Sequence, residues 1–83
     1  MAENISQVFY LNVKNVCAVE HINIGFVEKQ CRLPLGYISR WRKKGMPLLD
    51  AKNIAEELGV SVDILMNDRL TLNDIKEIVK ERE

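Results

Sequence analysis

Arg40, Arg42, Lys43 and Lys44 place four cations within five residues, around the only tryptophan of the chain, Trp41. A guanidinium can donate paired hydrogen bonds to guanine O6 and N7, and lysine ammonium groups can neutralise phosphates. The chemistry on offer is recognition of a polyanion. The concentration stands out because the chain as a whole is neutral, with 12 basic and 12 acidic residues. Residues 1–49 hold seven basic residues against three acidic ones, whereas residues 50–83 hold five against nine. Such asymmetry suggests one face for a polyanion and another that repels it. Other chemistry is poorly supplied. The single histidine, His21, has no nucleophile–base partner, no glycine-rich phosphate loop is present, and one His with two Cys is too few for a zinc site. The expectation is a protein that is not an enzyme and uses no cofactor or metal.

The elements that position these residues follow from the rest of the sequence. A chain of 83 residues, 47% apolar and 29% charged, has the composition of one ordinary globular domain. No apolar run approaches the roughly 20 residues that span a bilayer, and no secretory apolar region follows Met1. The expected location is cytoplasmic, with Cys17 and Cys31 as reduced thiols in or near a core.

Helical periodicity runs through almost the whole chain. Phe9, Val13, Val16 and Cys17 recur at i, i+4, i+7 and i+8, one face of a first helix that stops at His21. Asn23 is a fitting N-cap for a short second helix, with Ile22 before it as a staple and Val27 and Cys31 turned inward. Leu33-Pro34 breaks that helix, and Pro34 suits the first turn of a third, predicted from about Pro34 to Arg42 with Ile38 and Trp41 inward. Gly45-Met46-Pro47 ends it. A fourth helix carries the stripe Leu48, Ala51, Ile54, Ala55 and Leu58, and Gly59 fits a left-handed terminus. Ser61 caps a short fifth helix with Ile64, Leu65 and Met66. Thr71 and Asp74 form a capping box for a last helix with Leu72, Ile75, Ile78 and Val79 on one side. Val60-Ser61-Val62 alternates but is too short for a strand. The predicted fold is all-α, with five or six helices.

Two short helices joined by a tight turn, the second ending in a basic cluster, suit insertion into a DNA major groove. The order of features resembles the lambda-repressor-like (Cro/XRE) helix-turn-helix family over about residues 9–66. Carrying the resemblance are Asn12-Val13-Lys14, the cap Asn23, Val27-Glu28 and Tyr37-Ile38-Ser39-Arg40-Trp41. They are followed by Ile54-Ala55 with Leu58 and Val60, then by Ser61-Val62-Asp63-Ile64-Leu65. The chain departs from the family at two turns: Arg32 and His21 stand where glycine is frequent.

The resemblance implies a compact bundle of five short helices plus the C-terminal helix. The chain is read as a DNA-binding domain over residues 1–66 and, from the stripe Leu72, Ile75, Ile78 and Val79, an amphipathic helix over residues 67–83 that serves core packing or dimerisation. The resemblance also implies sequence-specific binding of double-stranded DNA, as a homodimer on an inverted-repeat operator, by a small transcriptional regulator of repressor type. Residue by residue, Leu35, Gly36, Ser39 and Arg40 are implied to face bases, with Leu35 against a thymine methyl. Asn23, Tyr37, Lys43 and Lys44 are implied to meet phosphates, and Arg42 joins them as a cation at the helix exit. The alternative is a protein-interaction module, such as an antitoxin or adaptor, on the same fold; neutral charge and the unpolar pair Leu35-Gly36 favour it.

Overall fold

The computed structural model describes residues 5–82, without the side chains of residues 42–44 and 82. Six helices follow in order: α1 (Ile5–Glu20), α2 (Ile24–Gln30), α3 (Tyr37–Lys44), α4 (Leu48–Leu58), α5 (Val62–Leu65) and α6 (Leu72–Arg82). No strand occurs among the described residues, and none of these helices is long and apolar enough to cross a membrane. The all-α expectation therefore holds, and the molecule is a flattened globule of 34 × 31 × 18 Å.

The apolar periodicity of α1 makes it the centre of the packing. Phe9, Val13, Val16 and Cys17 are all buried, as their spacing predicts, and α2, α3, α5 and α6 all pack on this helix. Asn12, on the same helix, is also buried; its side-chain amide donates to the backbone carbonyls of Leu65 (2.8 Å) and Asn67 (2.9 Å). These bonds pin the end of α5 to α1, because a buried amide left without acceptors would be costly. Phe9 meets Trp41 of α3 with ring centroids 5.6 Å apart.

Helix ends follow the capping residues. The Asn23 side chain accepts from the Phe26 amide at 2.8 Å, and the Ser61 hydroxyl accepts from the Ile64 amide at 3.1 Å. Thr71 and Asp74 make both bonds of the capping box. Three helices close with one motif. A left-handed residue closes each: His21 (φ 62°) directly after α1, Gly59 (φ 72°) directly after α4, and Arg32 (φ 60°) one residue further on, after the Cys31 that ends α2. In each case its amide bonds the carbonyl three back, and the next amide bonds the carbonyl five back. This is the Schellman arrangement. The following apolar residue, Ile22, Leu33 or Val60, then packs against the core.

Three details differ from the sequence expectation. The third helix begins at Tyr37 rather than Pro34 and continues to Lys44, because Gly36 takes a left-handed conformation (φ 81°) that interrupts helical geometry. Leu48 does not belong to the buried stripe of α4, being 71% exposed, because the first turn of that helix overhangs the core, which begins at Ala51. Leu72, in the first turn of α6, is likewise exposed, while Ile75 and Val79 are buried where α6 packs on α1. The C-terminal helix thus packs on the chain's own core.

Candidate nucleic-acid interface

The candidate interface comprises α2, the turn of residues 31–36 and α3. Val27, Ile38 and Trp41 are buried, and Cys31 and Leu33 pack half-buried against them. These are the inward residues expected from the sequence. They fix which side of α3 remains outside.

A residue that the sequence pattern did not single out as functional holds α3 in place. Glu28 lies on the inner side of α2 and is only 2% exposed. Its carboxylate accepts from the Gly36 amide at 3.0 Å through one oxygen and from the Ile38 amide at 2.9 Å through the other. Gly36 is the N-cap of α3 and has no side chain with which to cap it. Glu28 supplies the missing cap from the neighbouring helix. A buried carboxylate is tolerated only when paired or hydrogen-bonded, and the positive end of a helix dipole with two amide donors meets that need. The backbone carbonyl of Glu28 also accepts from the Leu33 amide at 2.8 Å. One residue thereby anchors both ends of the turn.

The candidates for base contact gather at the start of α3, but not all on the helix. Leu35 and Gly36 lie in the turn before it. Leu35 is 74% exposed and rests beside Gly25, where an added Cβ would come within 3.4 Å of a Leu35 methyl and 3.3 Å of the Asn23 side-chain oxygen. Gly25 thus keeps room for both. Ser39 donates its hydroxyl to the Gly36 carbonyl at 2.8 Å. Arg40 is exposed and lies back along α3, donating from Nε to the Gly36 carbonyl and from Nη2 to the Leu35 carbonyl, both at 3.3 Å. Those bonds are long and solvent-facing, so the guanidinium can exchange them for stronger acceptors at little cost.

The candidates for phosphate contact divide. Asn23 is exposed but uses its side-chain oxygen as the cap of α2. Tyr37 is half-buried, edge-on to Trp41 with ring centroids 5.8 Å apart, and its hydroxyl donates to Asp50 at 2.7 Å. That bond ties the first turn of α3 to the first turn of α4. By accepting it, Asp50 raises the Tyr37 phenol above its usual pKa, as do partial burial and the Asp50 charge, while Trp41 and Arg40 oppose the rise. Arg42, Lys43 and Lys44 form the last turn of α3, and their side chains lie outside the described residues. An open notch of about 270 Å³ beside this helix is lined by Tyr37, Arg40, Trp41, Gly45 and Pro47.

Cys17 and Cys31 are free thiols. Burial pushes the Cys17 thiol up to about 11. Cys31 is raised by burial and then by the nearby charges of Glu57 and Asp50. Among the described residues no group of three or more His, Cys, Asp and Glu side chains is placed to hold a metal. No protein-family model, curated protein or solved structure matches the chain.

Proposed function

We propose that this protein is a small sequence-specific DNA-binding regulator of the lambda-repressor-like helix-turn-helix type. In this reading α3 enters the major groove. The observation that carries it is the two-sided arrangement of α3 and the turn before it: Ile38 and Trp41 are buried, whereas Leu35 and Gly36 of the turn and Arg40 of the helix are exposed, next to the basic run Arg42-Lys43-Lys44. A rigidly seated helix with a cationic outer end has the means to combine base contacts with phosphate neutralisation. Arg40 is the candidate for paired bonds to a guanine, Leu35 for contact with a thymine methyl, and Lys43 and Lys44 for phosphates. The working form is a homodimer on an inverted repeat, acting as a repressor.

The test is selection of binding sites from random duplex DNA at near-physiological salt with the purified protein. Enrichment of an inverted repeat, with half-sites about one helical turn apart, is the expected result. Binding that is only non-specific and salt-sensitive would reject the reading. Within a selected site, Arg40→Ala should cost about 1–3 kcal/mol and relax the preference at one base position. Lys43→Ala should weaken binding to every sequence alike and lower the slope of log affinity against log salt by about one.

A second reading has one specific observation in its favour. Among the described residues the three most exposed large apolar side chains, Leu35, Leu48 and Leu49, flank α3 in sequence on its two sides. Such a grouping suits a protein partner as well as DNA. Substituting Leu48 and Leu49 by lysine separates the two readings: DNA affinity should hold or rise on a DNA-binding surface, whereas a protein complex built on these leucines should weaken.

A further inference from the structure

We infer that Glu28 is the residue that sets base specificity without touching DNA, by fixing the pose of α3. The inference rests on the DNA-binding reading above. Its physical basis is the unusual source of the helix cap. An N-cap residue normally satisfies the first amides of its own helix through its own side chain. At α3 that position is Gly36, so the helix start has no side-chain cap of its own, and only the Tyr37 amide is closed locally, on the Pro34 carbonyl. The Glu28 carboxylate does this from α2, one oxygen to each of the Gly36 and Ile38 amides. The start of α3 is consequently referenced to α2 and not only to its own turn.

The candidate base contacts all sit at this capped end. Gly36 is itself bonded to Glu28; Ser39 and Arg40 donate to the Gly36 carbonyl, and Arg40 also to that of Leu35. Leu35 and Gly36 lie in the turn that Glu28 holds, and Ser39 and Arg40 lie in the first turn of the helix that follows, so displacing the capped start of α3 displaces the backbone of all four. Base readout demands placement within about 0.5 Å, supported by residues behind the contact. Phosphate neutralisation by Lys43 and Lys44, at the far end of α3, has no such demand, since it follows charge and distance. Loss of the Glu28 cap should thus separate two quantities that loss of overall stability would lower together. Affinity for the preferred site falls, and affinity for unrelated DNA stays.

Glu28→Gln keeps the side-chain length but replaces one acceptor oxygen by an NH2 group facing an amide donor. A control is provided by Thr71→Ala, which removes a helix cap at α6. Each protein is measured for affinity to the selected site and to unrelated duplex, for thermal stability, and for hydrogen exchange at the Gly36 and Ile38 amides. The expected result for Glu28→Gln is a specificity ratio reduced about 10-fold or more, as loss of a charge-assisted bond implies, with unchanged non-specific affinity and faster exchange at both amides. For Thr71→Ala the ratio should not change although stability drops. Should Glu28→Gln fail to fold, Glu28→Asp, which keeps the charge but withdraws it by one methylene, is read in the same way. A wild-type specificity ratio in either variant overturns the inference while leaving the DNA-binding reading intact. Failure of the wild-type protein to enrich any site rejects that reading, and the inference with it.

Discussion

Single residues carry the strain and the reactivity of this molecule. His21 and Arg32 hold left-handed conformations that glycine adopts freely and other L-residues adopt at a cost of roughly 1–2 kcal/mol. Part of that would be returned on substitution, because glycine loses more chain entropy on folding. His21→Gly and Arg32→Gly should each stabilise the fold by about 0.5–1 kcal/mol, read as a rise in Tm of several degrees for a domain of this size. A fall in Tm would show that these side chains make compensating contacts. The thiols give a second expectation. Cys31 is half-buried and Cys17 fully buried, so a thiol reagent at pH 8 should modify Cys31 first and Cys17 only on opening of the core. The Cys17 shift also has a sign: the folded state binds the proton more tightly, so stability is full below the ordinary thiol pKa and falls as pH rises from about 9 toward 11. A denaturation series across that range, with Cys17→Ala as the comparison, measures the loss. At this scale the sequence revealed the cations, the cap Asn23 and the inward Trp41. It concealed Glu28, because a glutamate between Val27 and Lys29 reads as a solvent-facing helix residue. The only available signal was a glycine with no capping ability eight residues later, ahead of a helix.

Elements were legible where local chemistry and tertiary packing agree. The period of Phe9, Val13, Val16 and Cys17 defined α1, and the Thr71–Asp74 box defined the start of α6, both as observed. They were misread where two local rules compete. Pro34 favours a helix start, but the left-handed Gly36 and the carboxylate waiting at its amide move that start to Tyr37. Leu48 is in phase with Ala51 and Ala55, yet periodicity cannot say where the partner surface ends. The same box offers a test of element stability: Thr71→Ala should cost about 1 kcal/mol, as loss of an N-cap does. Asn12→Ala should cost more, about 1–3 kcal/mol, since two backbone carbonyls, one of them buried, lose their donor. Equal effects in chemical denaturation would mean that solvent replaces the Asn12 amide.

For the whole molecule, two features act together: a flat shape, 18 Å at its thinnest, and a central α1 on which α2, α3, α5 and α6 all rest. The C-terminal helix is part of that arrangement, since Ile75 and Val79 complete the burial around α1. A chain cut after residue 66 would therefore bare apolar surface and lose stability as a unit. The arrangement also bears on how the protein comes apart. No helix except α4 can leave without uncovering α1, and α4 is itself packed on α2 and α5. Partial opening is penalised everywhere, so unfolding should be a single cooperative step. Far-ultraviolet ellipticity, which reports all six helices, and the fluorescence of Trp41, which reports the seat of α3, should then trace one coincident denaturation curve.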